Sequence, residues 1–219
     1  MMKTRDKIIQ ASIELFNEEG ERNVTTNHIA AHLGISPGNL YYHFRNKEDI
    51  ILSIYCEYAD YTLASFPPID PDVKPLNAVI SYMDSAFQLM SKFRFFYSNL
   101  PVLLRKNPSL HKKYVEVQDT INQKIGEMMV SLRTAEILSF EDENLDDLSC
   151  LLRFVTTFWL SFYQTQQLNA KIDASAFYEG ILKILAMLQP YVTEHALPEF
   201  KQAKSLYQQK YQQAKSGSF

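Results

Sequence analysis

The stretch SPGNLYYHFRNK, residues 36–47, places several hydrogen-bonding side chains within one short segment. Asn39, Tyr42 and His43 stand at positions i, i+3 and i+4, so they share one face of a helix, and that face carries no apolar residue. An asparagine amide can form two hydrogen bonds with adenine, and a tyrosine can contact a thymine methyl group or donate to a phosphate. This face therefore predicts contact with solvent or with a nucleic acid.

Neighbouring residues extend the same chemistry. Gly38 leaves room for the backbone to approach a phosphate or a base edge, and Tyr41 stands between the polar face and the core-facing side of the helix. Lys47 opposes the dipole of the next helix, which predicts that a phosphate lies beside it. Thr25, Thr26 and Asn27 stand at the start of the helix before the one that carries Asn39. The free N–H groups and the dipole at that helix start also attract a phosphate.

Capping signals define the helices that position these side chains. Thr25 is suited to cap a second helix, and Gly34 to end it. Ser36 then caps a third helix with Pro37 at its first position, where a missing N–H costs nothing. Because only residues 34–36 separate the two helices, the segment predicts a helix-turn-helix.

Helical periodicity continues on both sides of this motif. A first helix is predicted over residues 3–19, and a fourth, capped by Asn46, runs to about Leu63. The proline-rich segment 66–75 marks a boundary, which predicts a DNA-binding domain over 1–48, a connecting helix over 49–65 and a second domain over 66–219. The helices predicted in the second domain cover residues 75–97, 108–132, 144–169, 174–191 and 198–215.

Composition restricts the class of protein. The net charge is −3, and the first fifty residues carry six basic and seven acidic side chains, so a nucleic-acid site must depend on local geometry. Cys56 and Cys150 are isolated, which indicates a reduced, cytoplasmic protein. No run of eighteen uncharged apolar residues occurs, so no membrane partner is expected.

The segment VTTNHIAAHLGISPGNLYYHFRNKEDII, residues 24–51, resembles the N-terminal module of the TetR/AcrR family of one-component repressors. Residues 93–114 resemble, more weakly, the second domain of one branch of these regulators. The resemblance implies that Tyr41 and its neighbours meet bases, whereas Tyr42, His43 and Lys47 mostly hold phosphates. The residues that it implies face operator DNA are Thr26, Ser36, Pro37, Gly38, Asn39, Tyr41, Tyr42, His43 and Lys47.

A dimer surface is expected because one short recognition helix contacts too few base pairs for useful specificity. The helix predicted at 144–169 is apolar nearly all round, and the helix at 174–191 carries an apolar stripe. Two such helices from each subunit would form a four-helix bundle, the usual arrangement in the family that the chain resembles. The alternative is that both helices are buried within one subunit. The predicted interface residues are Leu152, Val155, Trp159, Phe162, Tyr178, Ile181, Leu185 and Leu188.

A regulator also needs an input, and aromatic and methionine side chains in the second domain suit an apolar ligand pocket. The predicted lining residues are Phe87, Met90, Arg94, Tyr97, Tyr114, Gln118, Ile121, Phe158 and Phe162. Such stripes are also typical of an ordinary helical core, and this alternative stays open. His28 and His32 stand four residues apart without a third ligand, so neither a metal nor a cofactor is predicted.

These observations predict an all-α, homodimeric regulator of transcription rather than an enzyme. A helix-turn-helix domain is joined by a fourth helix to a helical domain for ligand binding and dimerisation. The predicted activity is repression that a small apolar ligand relieves by releasing the protein from a palindromic operator. The alternative is a DNA-anchored, nucleoid-associated factor whose helical domain binds another protein and no small molecule.

Overall fold

The computed structural model describes residues 3–66, 75–166 and 172–217. Within these ranges the regular elements are α-helices with short π and 3₁₀ turns, which confirms the predicted all-α architecture. None of these helices is both long and apolar enough to span a bilayer. The helices are α1 Thr4–Leu15, α2 Thr26–His32, α3 Pro37–His43, α4 Lys47–Ser65, α5 Pro75–Lys92, α6 Arg94–Lys106, α7 Pro108–Thr134, α8 Leu145–Gln166, α9 Ala174–Leu188 and α10 Leu197–Lys215.

The chain forms two compact units that a single boundary does not separate. The first unit comprises Met1–Thr62 and Lys92–Val117, and the second comprises Leu63–Ser91 and Gln118–Phe219. The helix-turn-helix therefore shares its unit with α6 and the start of α7, which the linear division near residue 66 had assigned to the second domain. The greater part of the predicted proline-rich linker, residues 67–74, lies outside the described residues.

The first unit is organised around the apolar faces of α1 to α4. Ile8, Ile29, Leu40 and Ile54 are all fully buried, one from each helix. Helix α1 ends in a π turn, Phe16–Gly20, rather than continuing as an α-helix, and Gly20 has a φ of 83°. That left-handed conformation favours glycine and stops the helix where the sequence predicted.

A helix that the sequence did not predict follows α5. The continuous helix expected over 75–97 is interrupted at Phe93, which has φ −112° and ψ 31°, and α6 then begins at Arg94. The side chain of Asn17 satisfies the backbone at this break, because it donates to the Lys92 carbonyl at 2.8 Å and accepts from the Phe95 N–H at 3.1 Å. The break depends on a residue about 75 positions away, so the local pattern could not reveal it.

In the second unit α9 packs against both α8 and α10. Trp159 of α8 donates from Nε1 to the Ala176 carbonyl at 2.6 Å, and its ring covers Gly180, where an added Cβ would lie 2.6 Å from the indole Cδ1. Helix α10 is held by Tyr207, which is fully buried and whose hydroxyl lies 3.1 Å from Oδ1 of Asp84. Burial and the adjacent carboxylate raise the pKa of the Tyr207 hydroxyl, so it stays a neutral donor.

Candidate nucleic-acid interface

Local sequence signals form the helix-turn-helix as predicted. Thr25 caps α2 by accepting from the His28 N–H at 3.2 Å, and Gly34 follows the helix with a φ of 64°. Ser36 caps α3 by accepting from the Asn39 N–H, also at 3.2 Å, with Pro37 at the first helical position. These caps satisfy N–H groups that each short helix would otherwise leave without a partner.

Helix α3 is fixed on its inner side and open on its outer side. Leu40 and Phe44 are buried against the rest of the unit. Asn39 is exposed, and Tyr42 is 86% exposed. The Tyr42 and His43 rings meet edge to face, with their centroids 5.1 Å apart. A large aromatic ring left in water on a well-anchored helix is available for an external partner.

Two residues predicted to contact DNA are joined to each other. The Thr26 hydroxyl at the start of α2 lies 2.9 Å from the Tyr41 hydroxyl of α3. Tyr41 is 49% exposed, and Asn27, Ser36 and Gly38 are exposed around it. The hydrogen bond ties the two helices together at this surface, and the accepting hydroxyl keeps its own proton for a phosphate.

Lys47, which the sequence predicts to hold a DNA phosphate, has partners within its own unit. Its Nζ lies 2.7 Å from Oε1 of Glu21, 2.8 Å from the Glu21 carbonyl and 3.0 Å from the Val24 carbonyl. An ammonium group has three N–H donors, and these three acceptors use all of them. Lys47 instead links the start of α4 to the segment that precedes α2.

Sequence reasoning missed the partner in this pair. Glu21 is only 3% exposed, and its Oε2 atom has no hydrogen-bond partner among the described residues. A carboxylate in that position needs a nearby cation, because removing a charge from water is costly. Glu21 lies in a polar run, EEGERN, and 26 residues before Lys47, so neither periodicity nor spacing indicated its burial.

The start of α4 is capped as predicted, in a reciprocal arrangement. The Asn46 side chain accepts from the Asp49 N–H at 2.8 Å, while Oδ2 of Asp49 accepts from the Arg45 N–H at 3.3 Å. Arg5 of α1 reinforces this end of the unit, since it donates to the Ser53 hydroxyl at 2.8 Å and lies over the Phe44 ring. Side-chain hydrogen bonds therefore fix the chain both at the start of α3 and at the start of α4, which follows it.

The second unit contains a cavity of about 60 Å³ between α5, α7, α8 and α9. No charged side chain is among the described residues that line it. Thr156 donates to backbone carbonyls of its own helix, and the Trp159 Nε1 proton is taken by Ala176. The lining residues are Val79, Tyr82, Met83, Ala86, Phe87, Met90, Ile125, Met128, Leu152, Val155, Thr156, Trp159, Phe177, Gly180, Ile181 and Ile184.

Of the residues predicted to line a ligand pocket, Phe87 and Met90 lie at this cavity and the others lie elsewhere. Arg94, Tyr97 and Tyr114 belong to the first unit. There the Tyr97 hydroxyl lies 2.8 Å from that of Tyr58, and the guanidinium of Arg94 lies 3.4 Å from the Asn17 carbonyl. Arg94 and Tyr97 follow the break at Phe93, and both lie in the first unit and not at the cavity. The remaining predicted residues, Gln118, Ile121, Phe158 and Phe162, are in the second unit away from the cavity lining.

The predicted dimer residues also divide into groups. Leu152, Val155, Trp159 and Ile181 line the cavity, whereas Tyr178, Leu185 and Leu188 are buried within the subunit. Leu152 and Ile181 are buried as well, and Val155 and Trp159 are partly covered by their own chain. Phe162 is the exception, since its side chain is 54% exposed.

Phe162 belongs to an apolar stripe along the outer face of α8. The stripe consists of Leu151, Phe154, Phe158 and Phe162, which are 48%, 60%, 39% and 54% exposed. The spacings of three and four residues align them on one side of the helix. Phe154 and Phe158 contact each other, with ring centroids 5.5 Å apart. We refer to these four residues as the α8 stripe.

Comparison with known proteins places both parts of the chain. Residues 8–54 match the family model for bacterial regulatory proteins of the tetR family, and residues 57–200 match the model for a bacterial transcriptional repressor. An HTH-type transcriptional regulator from Staphylococcus aureus (strain USA300) is 36% identical over 70 residues, which are 32% of this chain. The chain spans only 38% of the length of that curated relative.

Solved structures extend the similarity to the whole fold. A TetR-family transcriptional regulator from Marinobacter aquaeolei VT8 is 38% identical, with a TM-score of 0.85 over 94% of this chain and 99% of that one. The ketosteroid transcriptional regulator KstR2 of Mycobacterium tuberculosis, 17% identical, shares the fold with a TM-score of 0.65 over 89% of this chain and 97% of its own. The family models cover most of the sequence, and the helix-turn-helix geometry agrees with them. The chain therefore belongs to the TetR family of bacterial transcriptional regulators, which are DNA-binding proteins and not enzymes.

Proposed function

We propose that the protein is a one-component repressor that binds a palindromic operator as a homodimer and is released by a small, uncharged apolar ligand. The observation that carries this proposal is the outer face of α3, where Tyr42 is 86% exposed while Leu40 and Phe44 anchor the helix from behind. Regulators of genomic DNA act in the bacterial cytoplasm, which is where we expect this one. The residues that we propose to contact DNA are those predicted from the sequence, with the exception of Lys47.

The operator is the first object of test. Selection of bound fragments from random and genomic DNA should yield a sequence with two-fold symmetry, because a symmetric dimer presents two α3 helices to two half-sites. Half-sites one to two helical turns apart are expected. Recovery of no enriched sequence would contradict the proposal. A single, asymmetric half-site would contradict the dimer while leaving DNA binding intact.

The homodimer is supported by the α8 stripe. Exposed aromatic side chains at helical spacing are costly to leave in water, and each can contribute about 1.5–3 kcal/mol when fully buried. We propose that the stripes of two subunits pack against each other, so that Phe162 keeps its predicted role and Leu151, Phe154 and Phe158 join it. Leu152, Val155 and Trp159, also predicted at the interface, lie on the inner side of α8 and pack within the subunit.

Solution measurements distinguish this arrangement from others. In analytical ultracentrifugation, Phe154→Ser/Phe158→Ser should convert the dimer to a monomer, whereas Leu206→Ser on α10 should not. Leu206 is the control because it is 42% exposed and lies outside the stripe. A double variant that remains dimeric would contradict the stripe as the interface. A wild-type protein that is monomeric would instead favour a partner of another kind.

The ligand class follows from the cavity. A carboxylate or ammonium group placed there would lose its hydration without finding a charged partner, at a cost of several kcal/mol. The flexible side chains of Met83, Met90 and Met128 in the wall can adjust to an uncharged hydrocarbon or aromatic molecule that exceeds the free volume. A ligand releases DNA only if it binds the released conformation more tightly than the bound one.

Thermal unfolding with a panel of compounds tests this assignment. An apolar ligand at 100 times its Kd should stabilise the protein by about 2.7 kcal/mol, and charged analogues of the same shape should not. Ala86→Leu, which fills the cavity, should abolish the shift while leaving operator binding unchanged. A carboxylate ligand that binds more tightly than its neutral analogue would contradict the proposed ligand class.

A further inference from the structure

The net positive charge of the first unit comes from residues outside its helix-turn-helix. Residues 1–62 hold six basic and nine acidic side chains, a net charge of −3. Residues 92–117, the other part of the same unit, hold six basic and one acidic side chain, a net charge of +5. Between Asp84 and Glu116 the sequence has no acidic residue at all. The unit is positive overall only because of this second segment.

Three basic residues of the segment are already engaged within the unit. Lys92 lies 2.9 Å from Oε1 of Glu57, Arg94 contacts the Asn17 carbonyl, and Lys113 lies 3.8 Å from Glu116. Arg105, Lys106 and Lys112 are different: all three are exposed, and none of their side chains has an ion pair or hydrogen bond with another of the described residues. We call these three residues the basic corner, because they flank the turn between α6 and α7.

The basic corner is attached to the start of α4. Asn107, which ends α6, donates from Nδ2 to the Glu48 carbonyl at 3.1 Å and accepts on Oδ1 from the Leu110 N–H at 3.0 Å. Leu103 and Leu110 are buried on either side of it. The backbone of the turn is therefore fixed to the start of α4 by Asn107 and to the core of the unit by Leu103 and Leu110.

This attachment holds the residue after Lys106 against the first turn of α4, the helix that follows α3. Glu48 is five residues after His43, the last residue of α3, and consecutive Cα atoms are about 3.8 Å apart. Lys106 is the immediate neighbour of Asn107. Glu48 and Asp49 supply two negative charges in the first turn of α4, against three positive charges from the corner.

We propose that the basic corner binds phosphates of the operator backbone next to the half-site read by α3. The inference rests on the proposed operator binding and adds a contact surface that the helix-turn-helix does not contain. Phosphate contacts supply affinity and orientation without reading sequence. They are also needed here, because Lys47 is occupied within the unit and residues 1–62 carry a net negative charge.

Salt titration of DNA binding tests the proposal. The probes are a duplex selected by the wild-type protein and a scrambled duplex of equal length, measured by fluorescence anisotropy from 50 to 300 mM NaCl. The variant is Arg105→Gln/Lys106→Gln, and the control is Lys201→Gln/Lys215→Gln, which removes equal charge from exposed positions on α10. Glutamine preserves helix propensity, and equal melting temperatures establish that all variants fold.

The expected result is a change in slope. Each lost phosphate contact reduces the magnitude of the negative slope of log K against log salt by about 0.9, so one contact per protomer makes the slope of a dimer less steep by about 2. The affinity for both duplexes should fall by the same factor, and the control should keep the wild-type slope. Arg105→Lys/Lys106→Arg should restore it.

Two outcomes would overturn the inference, and they differ from failure of the proposed function. If the wild-type protein binds its selected duplex and the Arg105→Gln/Lys106→Gln variant keeps the same slope, the basic corner does not contact DNA. If the variant and the Lys201→Gln/Lys215→Gln control lose equal slope, only net charge matters. If the wild-type protein selects no duplex, operator binding fails and the basic corner fails with it.

Discussion

The role of Lys47 offers the sharpest test of the structure. Its ammonium group is 2.7 Å from Glu21, and this carboxylate is almost fully buried. At an effective dielectric constant of about 20, Coulomb's law gives an attraction of roughly 6 kcal/mol at that distance, partly offset by desolvation of both groups. Breaking a buried pair by removing one partner costs about 3–5 kcal/mol, since the remaining charge stays buried.

Lys47→Met removes the charge and keeps the apolar stem of the side chain. We expect urea unfolding to show a loss of about 3–5 kcal/mol, because Glu21 and two backbone carbonyls lose their donor. Glu21→Gln should cost less, since an amide oxygen still accepts a hydrogen bond. The double variant Glu21→Gln/Lys47→Met should lose less unfolding free energy than the sum of the losses of the two single variants.

DNA binding of the folded variant separates this role from a phosphate contact. Measured well below its melting temperature, Lys47→Met should keep the wild-type slope of log K against log salt. Loss of a phosphate contact would instead make the negative slope less steep by about 0.9 per protomer. A Lys47→Met protein as stable as the wild type, with a slope less steep by about 2, would refute the reasoning and restore Lys47 as a phosphate ligand.

Three further variants probe the recognition helix and the cavity. Asn39→Ala should reduce discrimination at one base pair of each half-site by about 1–3 kcal/mol, which competition with single-base operator variants would measure. Tyr42→Ala should weaken operator and scrambled DNA by the same factor, and a loss confined to the operator would contradict a phosphate role. Gly180→Ala should destabilise the second unit by about 1–3 kcal/mol in thermal unfolding, because the new methyl group would lie 2.6 Å from an indole carbon. An unchanged melting temperature would show that the indole moves without cost.

Much of the DNA-binding surface was predictable because its signals are local. Thr25, Ser36 and Asn46 each cap a helix by accepting from an N–H three residues away, and Gly34 ends α2 through its own φ angle. A polar face on a short helix is likewise visible from spacing alone. Agreement between caps, turn and periodicity is what made the helix-turn-helix recognisable before any coordinates.

The pocket and dimer residues were harder to assign because both predictions depended on apolar faces. A side chain such as Trp159 has the same sequence signature whether it lines a cavity, fills a core or meets a second subunit. The structure assigns it to the cavity and leaves Phe154 and Phe158 on the outside. Whether such a side chain lines a cavity, fills a core or stays exposed depends on which helix packs against each side of α8.

The sequence by itself determined the all-α architecture, the helix-turn-helix and the polar outer face of α3, since each depends on residues within a few positions of one another. Only the tertiary structure decided that Lys47 is bound by Glu21, that Asn17 interrupts the helix after α5, and that the α6–α7 turn carries its cations to the DNA-binding unit. These contacts join residues 26 to 75 positions apart. Their energies come from burial and hydrogen-bond geometry in the folded chain, which no local pattern encodes.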